Sequence, residues 1–142
     1  MTFMLVSSIV NYERSARLAQ KFEDLLDRYK ARLAEATRNF EPSGDLKQVY
    51  VQYQFDAEGA PNATRGFKIG RYSAKHQHLE ATIEVTRKSF ENGDDRSLTI
   101  LLASLMIEAL RQMNTKLNGK IATNFDRFVA IVEEDAKTLE AH

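Results

Sequence analysis

At 142 residues, with twenty acidic side chains against twenty Lys and Arg and no cysteine, the chain suits one domain, 1–142, able to bury its own core without disulfide or metal staples. Zero net charge leaves no global field drawing it to nucleic acid or an anionic membrane, and the lack of Cys excludes a thiol nucleophile and a thiolate metal site. Met1 to Val10 has no basic n-region and is broken by Ser7 and Ser8, which reads poorly as a signal peptide, so a soluble, unsecreted protein is expected.

Leu5, Ile9, Tyr12, Ala16 and Ala19 recur at spacings of four and three, and after one phase shift Phe22, Leu26, Tyr29, Leu33, Ala36 and Phe40 continue the pattern. This periodicity predicts one long amphipathic helix from about Phe3 to Arg38. Val6, Ile9 and Val10 would also suit a strand over Met4 to Val10; the helix would then begin near Asn11, an N-cap residue. Such an apolar stripe could dimerise, although packing on the domain's own sheet is the commoner use.

Pro42-Ser43-Gly44-Asp45 turns the chain. In Leu46 to Phe55, Val49, Val51, Tyr53 and Phe55 alternate with Gln48, Tyr50, Gln52 and Gln54. Side chains two apart share a face of a strand, so one row is buried and the other wet. Asp56 to Thr64 is expected as a surface loop, and its Asn62-Ala63-Thr64 glycosylation match as chance without a secretory signal. A middle strand, Gly66 to Tyr72, would face Phe67 and Ile69 inward. After a turn at Ser73 to Gln77, a third strand from His78 to Arg87 has Leu79, Ala81, Ile83 and Val85 inward and His78, Glu80, Thr82 and Glu84 outward. Short connections predict an antiparallel meander.

Asn92-Gly93-Asp94-Asp95 then starts a helix, with acids at its positive end. From about Arg96 to Lys116 that helix is apolar nearly all round, which marks it as central and buried. Its stretch Leu98 to Leu110 holds Ser104 and Glu108 and is shorter than the roughly 20 apolar residues of a membrane span. Asn118-Gly119 stops it. Thr123-Asn124-Phe125-Asp126 resembles a capping box opening a last helix with Phe125, Phe128, Val129, Val132, Ala136 and Leu139 on one face. The expected fold is α+β: a long N-terminal helix, a three-stranded antiparallel meander and two C-terminal helices packed on one sheet face.

Catalytic signatures are missing: there is no nucleophile elbow, phosphate-cradling Gly loop or His-Glu helix motif, and no enzyme activity or cofactor is expected. His76 and His78 alternate on a strand with Glu80, but a straight strand sets His76 and Glu80 roughly 13 Å apart, too far to share one ion, and the only other His is His142. Glu80 and Glu84 share a face, as Glu on a solvated strand ordinarily does. Arg65-Gly66-Phe67-Lys68-Ile69-Gly70-Arg71-Tyr72 matches the octamer of RNA-recognition motifs at its first three positions and its last, but not at Lys68, Ile69 and Gly70, and three consecutive strands are the wrong element order for that fold. Arg65, Lys68, Arg71, Lys75 and Tyr72 could still hold phosphate or stack a base, which makes nucleic-acid binding the alternative function.

What remains is a surface for protein recognition. Tyr50, Gln52 and Gln54, with His78, Glu80 and Glu84, combine an aromatic anchor with hydrogen-bonding groups; the turn residues Arg71, Tyr72 and His76 complete the candidate partner-binding set. The bland alternative is an ordinary wet sheet face.

In size, element order and the Tyr50-Val51-Gln52-Tyr53 and Gly66-Phe67-Lys68-Ile69-Gly70 strands, the chain resembles, in outline, small bacterial immunity proteins. These are partners of polymorphic toxins, including those of contact-dependent growth inhibition systems. The resemblance implies a cytoplasmic protein, monomer or homodimer, that binds a cognate toxin's catalytic domain and neutralises it without chemistry of its own. Many such proteins are strongly acidic to match basic nuclease toxins; the neutrality of this chain leaves the toxin class open.

Overall fold

Leu5 and Ile9, which seed the helical stripe in the sequence, are 44% and 54% exposed, and the segment that holds them is a strand. The computed structural model describes residues 2–10, 16–55 and 66–141. In it, β1 spans Met4–Val10 and α1 Ala16–Thr37. The single helix from Phe3 is thereby corrected to strand and then helix. The branched side chains Val6, Ile9 and Val10 suit the extended backbone, and pairing with a neighbouring strand outweighs the local 3.6 period. Asn11, His142 and the whole of 56–65, with the expected loop Asp56 to Thr64 and Arg65, lie outside the described residues.

The remaining elements are β2 (Gln48–Phe55), β3 (Phe67–Ile69), β4 (His78–Val85), α2 (Arg87–Phe90), α3 (Asp95–Leu117) and α4 (Phe125–Ala141). They form a four-stranded sheet in the order β1-β2-β4-β3. Both neighbours of β2 run parallel to it, Met4 opposite Val49 on one side and Gln48 opposite His78 on the other. Only β3 is antiparallel, with Phe67 opposite Ile83. The antiparallel meander is therefore corrected to a mixed sheet. The strands do run up, down and up, but β4 lies between β2 and β3. The eight residues of β4 match the eight of β2 along their whole length, whereas the three-residue β3 can satisfy only part of such a partner and takes the edge.

The third strand also ends earlier than Arg87. Thr86 caps the short helix α2, its hydroxyl accepting from the Ser89 amide at 3.3 Å, and Phe90 is carried into the core.

Helices α1 and α3 pack on one sheet face, and α4 packs against both. The stripe of α1 (Ala19, Phe22, Leu25, Leu26, Tyr29 and Leu33) is buried in the domain's own core, so that surface is not left for a coiled-coil partner. Two aromatic clusters close the ends of the interior. Phe22 stacks on Phe55 with centroids 4.7 Å apart, and both meet Phe90 edge-on. At the other end Phe3, Phe40 and Phe128 pack at about the same distance, Phe3 to Phe128 being 4.9 Å. Such pairs contribute about 0.5–1.5 kcal/mol each beyond the area they bury.

Polar contacts fix how the helices sit. Arg32 Nε donates to the Asp135 carboxylate at 3.0 Å, tying α1 to α4. Asp94 caps α3 by accepting from the Ser97 amide at 2.8 Å, as its place before the apolar helix predicts. The start of α4 departs from a full capping box: Thr123 accepts from the Phe125 amide, while the Asn124 side chain accepts from the Ser43 amide and donates to the Glu41 carbonyl. Asn124 thus pins the turn before β2 to the start of α4. Gly44 pairs with Thr123 there in a left-handed conformation (φ +83°), and a Cβ on it would fall 2.1 Å from the Ala122 carbonyl oxygen. Only glycine fits. Among the described residues no helix is long and apolar enough to cross a membrane.

Candidate functional site

Covering one sheet face with helices leaves the other face bare among the described residues, and the parallel register sorts its side chains into rows. Partners opposite one another in a ladder share a face. Leu5, Tyr50 and Glu80 form one row; Ser7, Gln52, Thr82 and Lys68 the next; Ile9, Gln54 and Glu84 the third. Gln48 and His78 add a shorter row at the start of β2. The face is apolar along the β1 margin, amide-rich along β2 and ionic along β4 and β3.

The β2 row is held by its own hydrogen bonds. The Tyr50 hydroxyl donates to Gln48 Oε1 at 2.6 Å, and Gln48 Nε2 donates to the Thr2 carbonyl at 3.0 Å. Gln54 Nε2 donates to Gln52 Oε1 at 3.2 Å. The Tyr50 ring meets His78 edge-on at 5.3 Å, and His78 stacks on His76 at 5.6 Å. These contacts restrict the rotamers of the aromatic group, which lowers the entropy lost when it is buried by a partner.

The β4 row is not uniformly wet. Glu80 is exposed and lies 3.7 Å from His78 Nε2, whereas Glu84 is buried. The Lys68 ammonium reaches across from β3 and contacts the Glu84 carboxylate at 2.8 Å. The expectation of a solvated Glu84 is corrected accordingly: its chain neighbours face the helices, yet it sits beside Gln54 under a lysine from the adjoining strand. A buried carboxylate needs such a partner, because leaving it unpaired would cost several kcal/mol.

The turn residues are placed differently. Gln77 adopts a left-handed conformation (φ 54°), and its carbonyl accepts from the Lys47 amide at 2.8 Å. This holds the turn of residues 70–77 against the entrance to β2. Ser73 bridges to His78, while Arg71, Lys75 and His76 are exposed. Tyr72 is turned to structural use. It packs against the core and its hydroxyl donates to the Asp45 carbonyl; desolvation, and behind it the Asp45 carboxylate, push its phenol above the ordinary range.

Of the proposed binding residues, the structure brings Tyr50, Gln52, Gln54, His78, Glu80 and Glu84 onto one face, with His76 at its border. It leaves Arg71 on the turn and commits Tyr72 to packing. The sequence reading missed Leu5, Ser7 and Ile9, which complete the face, because it favoured a helix there; the strand alternative would have aligned all three. It also missed the engagement of Lys68 with Glu84. Among the described residues no group of three or more His, Cys, Asp or Glu converges as a metal site would require. Comparisons with family models, with curated proteins and with solved structures gave no match to this chain.

Proposed function

We propose that the chain is a non-enzymatic protein-binding module, an immunity protein that binds the catalytic domain of a cognate toxin in the cytoplasm and neutralises it by occlusion. The observation that carries this reading is the bare sheet face, where exposed Leu5 and Ile9 flank a prearranged Tyr50-Gln52-Gln54 row and a mixed ionic margin. Aromatic and apolar anchors beside amide donors and acceptors are what a protein surface of similar mixed character complements. Rigid strands hold these groups, so little ordering is needed on docking. Co-expression with the product of an adjacent toxin-like gene should protect cells and yield a complex that survives purification. If no neighbouring gene product is either neutralised or retained, the immunity reading fails.

A second reading, nucleic-acid binding, is favoured by one observation: Arg71 and Lys75 are both exposed on the turn beside the stacked His76 and His78. It is the weaker one. Lys68 is engaged by Glu84, Tyr72 by the Asp45 carbonyl, and a phosphate backbone laid on the sheet would meet Glu80. Phosphate contacts release counterions, so any such binding must weaken steeply as salt rises. Micromolar protein that shifts no labelled RNA or DNA at low salt removes it.

A further inference from the structure

The two edges of the sheet are protected very differently. At one end β3 is three residues long and carries Lys68, as edge strands that avoid pairing commonly do. At the other end β1 runs seven residues, Met-Leu-Val-Ser-Ser-Ile-Val, with no charge and no proline. No described residue pairs with its outer edge. Seven extended residues span about 23 Å, a long template to leave bare.

The backbone phase of that edge follows from its inner partner. The Val49 amide donates to the Phe3 carbonyl at 2.9 Å, and Met4 stands opposite Val49. In a parallel ladder this engages the backbone groups of Phe3, Leu5, Ser7 and Ile9 with β2 and turns those of Met4, Val6, Ser8 and Val10 outward. Those four residues direct their side chains to the helical face, while Leu5, Ser7 and Ile9 line the bare face.

We propose that this edge is the interface of a homodimer, with β1 of two copies pairing antiparallel about a two-fold axis through Ser7. In that register Val6 of one copy faces Ser8 of the second, with outward backbone groups on both, so each such pair exchanges two hydrogen bonds. Leu5 then lies opposite Ile9 of the second copy, twice, on the bare face. These are non-hydrogen-bonded positions, where facing side chains approach most closely. The two large apolar side chains that are exposed among the described residues thereby cover one another. Neither strand brings a charge to the contact, so like meets like without repulsion. A shift by one residue would oppose inward- to outward-turned backbone groups and break both matches, so the strand is self-complementary in this phase. The product is a continuous eight-stranded sheet, helices together on one side and the two bare faces together on the other. The occupant is a second copy because the edge complements itself; this holds whether or not the bare face binds a toxin.

The sequence lacks cysteine, so single cysteines can map the axis. Ser7→Cys, on an exposed position of the axis, and Ser104→Cys, an exposed control on α3, are compared under mild oxidation after circular dichroism confirms that both are folded. Wild-type protein in sedimentation equilibrium should rise from 16.2 kDa toward twice that mass with concentration. Ser7→Cys should form a disulfide-linked dimer at least tenfold faster than Ser104→Cys, and Ser7→Lys, which places two cations on the axis, should sediment as a monomer. A wild type that stays monomeric to millimolar concentration overturns the proposal, as it would if another part of this chain or a foreign strand occupied the edge. A dimer that Ser7→Cys does not cross-link, or that Ser7→Lys leaves intact, also overturns it by placing the contact elsewhere.

Discussion

The Tyr53 hydroxyl, at the middle of β2, donates to the carbonyl of Leu102, in the second turn of α3, at 2.7 Å. Both residues are wholly buried. The bond fixes the central helix along the central strand and satisfies a phenol that would otherwise be stranded in the core. Tyr53→Phe should lower unfolding free energy by about 1 kcal/mol, read as an earlier denaturant midpoint at unchanged slope.

Alkaline stability should depend on the same core. Burial pushes the phenols of Tyr53 and Tyr29 well above the ordinary tyrosine range. A group whose folded value is raised contributes stability that is complete below its unfolded value, about 10, and is lost as pH climbs from there toward the folded value. Stability should therefore fall above about pH 10. The combined Tyr29→Phe and Tyr53→Phe variant should show a shallower decline, measured by urea melts from pH 8 to 11.

At acid pH the capped start of α3 should respond with the opposite sign. Hydrogen bonds from Ser97 hold the Asp94 carboxyl below its ordinary value. The cap's contribution is present above the unfolded carboxylate value and is lost as pH falls through the folded one. Asp94→Asn keeps an acceptor without that titration, so the wild-type advantage over this variant should shrink as pH drops below about 4.

Gly44→Ala should be among the most damaging small substitutions. It places a Cβ against backbone, not against a yielding side chain, at a left-handed position. A loss of roughly 1–3 kcal/mol is expected from the strained conformation alone, with retention of the Tyr50 face as the control.

The two faces of β2 can be separated by neighbouring substitutions. Val51→Ala, at a buried position, should cost about 2 kcal/mol of stability. Tyr50→Ala removes a half-buried side chain and one hydrogen bond to Gln48, so it should cost about 1 kcal/mol or less. If the bare face docks the partner, Tyr50→Ala should weaken the complex by about 2 kcal/mol. Undiminished affinity would move the docking surface elsewhere, first to the turn around Arg71 and His76.

Strand phase was legible because burial on one side writes a period of two into β2 and β4, and a one-residue slip would bury three amides in place of three apolar side chains. The cap at Asp94 was legible because it is local. Strand order was not, since alternation says which way a side chain faces and nothing about which strand lies beside it. Met4 to Val10 was ambiguous for a related reason. Leu5 and Ile9 are four apart, and that spacing suits a helix; only the presence of β2 alongside decides for a strand. Glu84 is the corresponding miss in the site, because the lysine that permits its burial comes from a strand whose neighbour could not be inferred.

The parallel placement of β2 between β1 and β4 also sets the order in which the molecule can be built. Met4 must find Val49 across the whole of α1, and Gln48 must wait for His78 to be synthesised. Neither contact is local, so each loop must close before its ladder repays the entropy lost. Refolding should accordingly take milliseconds to seconds, slower than a helical bundle of this size. On the ribosome, a nascent chain that has emerged only to about residue 70 carries β2 with its β4 side still open, and that interval is when the polypeptide is most exposed to aggregation.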